Sequence, residues 1–465
     1  MQGAYAIFVP MNNSNDSIKI TLLALGCSKN LIDCENMSTE LKKAGYNVIN
    51  DVPESDIVVI NTCGFIESAK KEAIDAILEV ADFKVPNGNV KKIIVSGCLS
   101  QRYPEDILKE LPEVDAVLGT AHYGDIVDVV AKLVTELDKE TTEKINLTSG
   151  KGGFSHLVKD RELSTEAYAW LKIGEGCLHR CSFCAIPLIR GTFVSRPMED
   201  IIEEAKIIAS RGVKELVLAA QDTTNYGIEL YKERRLAELL KKLSEIDGIE
   251  LIRVMYGYMD GITPDLIEEM ANNPKVAHYL DIPIQHGSDK ILKAMYRRDT
   301  AELITSRLEM IRKAMPDCII RTTVMVGFPG ETEEDFQVMK ENLKKWKFDR
   351  LGCFIFSPEE GTPAYDLPDQ IDEETKQRRY DEIYELQKEI SSEQSKKRLD
   401  TVTKVNICSV SDDGIFYIGR SYGESPEVDP VIYIASQEEE LKIGDFVDAR
   451  IVDCSDEYDM TAVTI

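Results

Sequence analysis

Cys177-Leu178-His179-Arg180-Cys181-Ser182-Phe183-Cys184 sets three cysteines in one short loop at the spacing C-x3-C-x2-C. Each spacer turns the chain back on itself, so three thiolates can take three corners of an iron–sulfur cube. Structural zinc sites and closed 4Fe–4S centres use four protein ligands. No fourth ligand lies in the loop, which leaves one iron open to a small chelating molecule. A zinc loop completed by a distant residue, or three unrelated buried thiols, are the competing readings. So tight a triplet favours metal.

Outward from the loop, the chain alternates apolar β-rich runs with amphipathic helices. The runs are 167–173, 215–220, 251–256, 278–284, 319–326 and 351–356, and residues 201–210 show a helical face of Ile201, Ala205, Ile208 and Ala209. Six βα units in series predict a partial (β/α)6 barrel over residues 165–398. The cysteine loop follows the first strand and so falls at the C-terminal mouth, where barrel enzymes place their chemistry. Polar or glycine-rich loops follow the second, fourth and fifth strands. With the aromatic before the last loop cysteine they make Phe183, Gln221, Gln285, Val326 and Gly327 the candidate cofactor contacts. Cys318 and Cys353 lie in apolar runs and read as packing residues.

Upstream, residues 18–140 repeat one unit three times. An apolar run ends in Gly26-Cys27, a second in Thr62-Cys63-Gly64 and a third in Gly97-Cys98, at intervals of 36 and 35 residues, each followed by a helical stretch. That period fits βα units of a parallel α/β sheet. Each cysteine sits just past a strand's carboxyl end, the edge where open α/β sheets bind ligands. Parallel pairing would bring Cys27, Cys63 and Cys98 to one point, again one ligand short of a closed cluster. Cys34 reads as core. Residues 141–164 read as a polar linker, flexible at Lys151-Gly152-Gly153, with His156 solvated. Residues 1–17 read as a disordered tail in which Met11 is an alternative start. They carry no basic n-region of a signal peptide before Asp16.

Residues 372–398 read as a charged helix leading to short strands and turns over 399–465, a small β-barrel pattern in which Cys408 and Cys454 read as core. This last segment holds 15 acidic and 4 basic residues in a chain of net charge −27. So acidic a protein repels phosphate backbones and accommodates a basic partner. Eleven cysteines without an export signal imply a reducing, cytoplasmic setting, and no apolar run is long enough to span a membrane.

Together these motifs resemble the methylthiotransferase branch of the radical S-adenosylmethionine superfamily, from residue 18 nearly to the end. Within that branch they look like the RimO type, which modifies an aspartate of the small-subunit ribosomal protein S-twelve. The stretches that carry this likeness are Ala185-Ile186-Pro187-Leu188-Ile189-Arg190-Gly191, Met255-Tyr256-Gly257-Tyr258, Tyr279-Leu280-Asp281-Ile282-Pro283-Ile284-Gln285-His286 and 419–429. Leu178, His179 and Met259 depart from the branch's usual pattern without touching a ligand position. The resemblance implies a C-terminal TRAM barrel and two 4Fe–4S clusters. The radical cluster would sit on Cys177, Cys181 and Cys184, and the auxiliary cluster on Cys27, Cys63 and Cys98. It further implies S-adenosylmethionine, a flavodoxin- or ferredoxin-type reductant and a sulfur donor. Glu424, Glu427 and Asp429 are expected to steer a basic protein substrate. The neighbouring alternatives are a tRNA methylthiotransferase, which the acidic C-terminal segment disfavours, and an iron–sulfur electron carrier.

Overall fold

The computed structural model describes residues 5–6, 18–137, 143–436, 440–454 and 459–465. The expected disordered tail lies outside these residues apart from Tyr5–Ala6, a short strand (β1) antiparallel to β2. The N-terminal sheet continues with β2 (Lys19–Ala24), β3 (Asn47–Val48), β4 (Ile57–Thr62), β5 (Lys92–Gly97), β6 (Ala116–Leu118) and β7 (Ile145–Leu147). Its order is β1-β2-β4-β5-β6-β7, with β3 also on β2, and every pairing from β2 onward is parallel. β4 and β5 are buried along their whole length. This is why they read as unbroken apolar runs rather than alternating ones. The helical stretch expected after Cys98 breaks into Cys98–Arg102 and Pro104–Glu110, because Pro104 has no N–H to continue the first helix.

The segment expected to be a flexible linker is stitched down instead. β7 extends the sheet, and the Gly152 N–H donates to Thr120 Oγ1 at 3.1 Å. His156, expected in solvent, is buried with Nε2 2.9 Å from Asp33 Oδ1. The Arg161 guanidinium is buried between Glu35, at 2.7 Å, and Glu204, at 3.0 Å. A lone His or Arg in a polar stretch looks solvated because its partners are distant in sequence: Asp33 and Glu35 lie more than a hundred residues upstream, in the helix Ser28–Lys43, and Glu204 lies downstream in the helix Met198–Ser210.

The second unit has β8 (Ala169–Lys172), a hairpin of β9 (Gly174–Glu175) and β10 (Val194–Ser195), then β11 (Glu215–Ala219), β12 (Leu251–Val254), β13 (Tyr279–Asp281), β14 (Ile319–Val326) and β15 (Arg350–Ile355). Two parallel three-stranded sheets, β8-β11-β12 and β13-β14-β15, are joined by the parallel bridge Ile252–Val276. The six strands therefore curve as an open half-barrel, backed by helices over a continuous apolar core. The helix Ser28–Lys43 lies against β8 at one open end. At the other end β15 pairs only with β14. The helix Glu373–Ser395, N-capped by Asp372, leads out.

β16 (Val402–Val410), β17 (Tyr417–Arg420), β18 (Ile432–Ala435), β19 (Phe446–Asp453) and β20 (Met460–Thr464) close into a barrel in the order β16-β17-β18-β20-β19. Cys454 is buried in this unit and Cys408 half-buried. Among the described residues no helix is long and apolar enough to cross a membrane.

Candidate active site

Register explains how the first three cysteines meet. Ala24 aligns with Asn61, and Asn61 with Ser96, so the chain leaves β2, β4 and β5 side by side along one edge. Cys27 caps the helix Ser28–Lys43 and Cys98 opens the helix Cys98–Arg102. Their glycine neighbours make the approach possible. A Cβ on Gly26, which has φ +89°, would stand 2.6 Å from the Cys63 Cβ, and one on Gly64 would stand 2.7 Å from the Leu99 Cα. Burial pushes the Cys63 thiol up to about 12, and the neighbouring Cys98 and Cys27 add to the shift. Burial also raises the Cys98 thiol, against the pull of Arg190.

The second triad sits in the loop after the β9 strand, at the half-barrel's mouth. Backbone bonds anchor it. The Cys177 N–H donates to Gly191 O at 3.2 Å, Ser182 N–H to Met295 O at 3.0 Å, and Ala364 N–H to Ser182 O at 2.8 Å. Burial pushes the Cys177 thiol up to about 12 and raises that of Cys184. The buried Arg297 acts on both in the opposite sense, and its guanidinium lies 4.8 Å from the centre of the Tyr258 ring. His179 stacks on Tyr258 at 3.7 Å and bonds Asp222 at 2.9 Å. Its departure from the usual loop residue thus braces the loop from outside.

Both triads share one chemistry: thiols whose charges repel one another, drawn into a low-dielectric edge with a buried guanidinium nearby. Thiolates are tolerated there when cationic iron holds them, and they are the ligands that iron–sulfur clusters take. Among the described residues no three His, Cys, Asp or Glu side chains converge on a point that would hold a single metal ion. A cube takes one thiolate per corner and asks for ligands set apart.

Arg190, six residues past the loop, ties the triads together. It is fully buried. Nε donates to Cys98 Sγ at 3.4 Å, Nη1 to Asp33 and Glu175 at 3.1 Å each, and Nη2 to Asn30 Oδ1 at 2.7 Å. Lys172 pairs with the same two carboxylates at 2.6 Å. Arg190 and Lys172 outweigh burial at Glu175 and, with His156, at Asp33, so both carboxyls sit below the usual carboxylate range. Ala185 and Ile189 pack on Cys98. Sequence reading missed this network. Its one visible signal was Lys172, a charge inside an apolar strand, where an unpaired ammonium is never left.

A cavity of about 1250 Å³ opens beside both triads. Phe65, Ile66 and Ser68, just past Cys63, form one wall at the mouth, Phe183 another, and Val428–Pro430 of the C-terminal barrel close the far end. The sequence-predicted cofactor contacts fall in different places. Phe183 and Gln285 line the cavity. Gln221 donates to Glu175 Oε1 at 2.7 Å, and its own Oε1 is buried without a partner, free for a ligand's donor. The Val326 side chain is a correction: it packs outward in the helix-covered core, since alternate residues of β14 face opposite ways. Gly327 donates its N–H to Glu331 at 2.7 Å, and a Cβ there would meet Lys376 Cγ at 2.3 Å.

Of the acidic trio, Glu424 needs correcting. Glu424 offers no charge to a partner: it is completely buried against Arg398 and, at 3.0 Å, Arg350. Burial opposes its ionisation, but these two guanidinium groups hold it at about 2. Asp429 accepts from Tyr279 Oη at 2.6 Å, and Glu427, on an exposed turn, from Tyr168 Oη and Trp170 Nε1 at 3.1 Å each. Glu424 thus clasps the half-barrel instead of meeting a substrate, while Glu427 stays on the exposed turn and Asp429 lines the cavity. Glu438 and Glu439 lie outside the described residues.

Comparison with known proteins assigns the three units. Residues 19–119 match the uncharacterized protein family UPF0004, 171–343 the radical SAM superfamily and 402–465 the TRAM domain. Among solved structures, a radical S-adenosylmethionine methyltransferase, TsrM, from Kitasatospora setae shares the fold. The TM-score is 0.56 at 12% identity, over 75% of this chain and 77% of that one. The cobalamin-dependent radical enzyme OxsB aligns at TM-score 0.52 and 14% identity, over 81% and 56%. Sequence relatives are much nearer. The ribosomal protein uS12 methylthiotransferase RimO of Acetivibrio thermocellus is 48% identical over 96% of this chain and 98% of its own length. That of Caldicellulosiruptor saccharolyticus is 47% identical over 96% and 100%. With likeness of that depth over nearly the whole chain, the chain belongs to the family of the RimO ribosomal protein uS12 methylthiotransferases.

Proposed function

We propose that this chain adds a methylthio group to the β-carbon of an aspartate in ribosomal protein uS12, using S-adenosylmethionine and two 4Fe–4S clusters, one on each cysteine triad. The β-hydrogen of an aspartate is too weakly acidic for any side-chain base. A cluster with an open iron, together with S-adenosylmethionine, supplies a carbon radical able to remove it.

This chain's residues do the rest. Cys177, Cys181 and Cys184 would hold one cluster at the barrel mouth, and Cys27, Cys63 and Cys98 the other at the sheet edge. Gln221, with its free buried oxygen, and Gln285 and Phe183 on the cavity wall would orient the cofactor. The walls around the mouth keep out water, which would quench a radical. Arg190 fixes the distance between the two triads, so that hydrogen removal and sulfur transfer address one substrate carbon. The observation that carries the reading is one cavity lined both by Phe65 and Ile66, just past Cys63, and by Phe183, beside Cys184. A flavodoxin- or ferredoxin-type protein would deliver electrons, and a separate donor the sulfur.

The test is anaerobic reaction of iron-loaded, reduced protein with S-adenosylmethionine and uS12. Mass spectrometry should find a gain of SCH2 on one uS12 aspartate together with 5′-deoxyadenosine. A gain on tRNA and none on uS12 would refute the assignment.

A further inference from the structure

The half-barrel leaves one sheet edge bare. β15 pairs with β14 alone, and the cavity runs along its other side, touching every residue from Asp349 to Phe356. The Phe356 N–H donates to Val326 O on β14 at 2.9 Å, in register with the ladder that pairs 321–326 with 350–355. Backbone groups alternate along a strand, so Arg350, Gly352 and Phe354 bond β14, and Leu351, Cys353 and Ile355 turn their N–H and C=O toward the cavity. Bare edges are pairing templates, which folded proteins otherwise cover or charge. Here the edge carries Phe354, a large apolar side chain left 49% exposed.

Gly352 sharpens the point. Its φ is negative, and a Cβ built on it would meet nothing closer than 3.9 Å. Neither the backbone nor the protein's own packing requires a glycine. A glycine inside a strand often marks the close approach of another backbone. The edge leads to the cavity's mouth end, where Phe183 and the residues after Cys63 stand beside the two triads.

We infer that the substrate protein docks by strand addition: an extended segment of uS12 pairs with β15 at Leu351, Cys353 and Ile355, passing beside Gly352, and so presents its aspartate between the triads. The inference rests on the methylthiotransferase reading above. An extended peptide matches the alternating donors and acceptors of this edge; a nucleic acid backbone has no such alternation. The incoming strand's side chain takes the space beside Gly352.

Hydrogen exchange on the full, cluster-loaded chain tests this. Saturating uS12 should slow the amides of Leu351, Cys353 and Ile355 by about tenfold or more. Gly352→Val, which suits a strand and has room, should melt with the wild type and keep its iron, yet raise the KM for uS12 about tenfold with kcat retained. Unchanged exchange at Leu351, Cys353 and Ile355 during full turnover of uS12, or a wild-type KM in Gly352→Val, would overturn strand addition and leave the enzyme assignment standing. A wild-type protein that never modifies uS12 would overturn both.

Discussion

Arg190 makes contact with a cysteine of one triad while standing six residues from the last cysteine of the other. Lysine at this position keeps the charge but loses the fork that reaches Cys98, Asp33, Glu175 and Asn30 together. Arg190→Lys should lower methylthiolation about 10–100-fold, the usual effect of removing a partner behind a metal ligand. The electron paramagnetic resonance spectrum of the auxiliary cluster should shift while that of the radical cluster stays. Glu424→Gln removes a charge from between Arg398 and Arg350 and should cost about 3–5 kcal/mol in urea unfolding. Because the folded carboxyl sits at about 2 against an ordinary 4.5, its contribution is complete above about pH 4.5 and disappears as pH falls through 2. The variant should therefore show a shallower loss of stability across that window. The six cysteines could be singled out from spacing, since each triplet stands at a regular interval along the chain. Glu424 could not, because its partners lie 26 and 74 residues away, and a buried carboxylate is written with the same letter as an exposed one.

Strands and their ends form the next scale. The apolar runs announced nearly every long parallel strand, because strands buried on both faces have no alternation to confuse with a helix. The short pieces β3, β6 and β7 were invisible: two or three residues are held by neighbouring strands, not by their own propensity. Gly64 shows what a strand end must satisfy. Its missing Cβ lets the turn after β4 press on the backbone of Leu99, next to Cys98. Gly64→Ala should push the two apart, at about 1–3 kcal/mol of overpacking. Iron analysis after anaerobic reconstitution should show about half the metal lost. Full iron content in this variant would mean that Cys63 and Cys98 do not share a cluster.

At the scale of the whole molecule, the C-terminal barrel is not an appended module. Arg420 pairs with Glu215 at 2.9 Å, and Arg253 of β12 donates to Ser421 O and Tyr422 O at 2.8 and 2.6 Å. All three of these charged side chains are buried. Ending the chain after Arg398 strips Arg420 from Glu215 and two carbonyls from Arg253, leaving these two buried charges only each other, at 3.3 Å, with their remaining hydrogen-bonding groups unsatisfied. We expect the shortened chain to aggregate or to lose its cooperative melt, and the full chain to lose the half-barrel and the C-terminal barrel in one calorimetric transition. Two transitions would show that the units are independent.

The stitched segment around His156 and Arg161 has a kinetic consequence. It welds the N-terminal sheet to the half-barrel through Asp33, Glu35 and Glu204, so there is no hinge on which the two triads could swing together. An enzyme without a closing motion cannot use closure as its clock. We expect its pace to follow the arrival and departure of a large protein substrate, and small-angle scattering should give the same radius of gyration with and without S-adenosylmethionine.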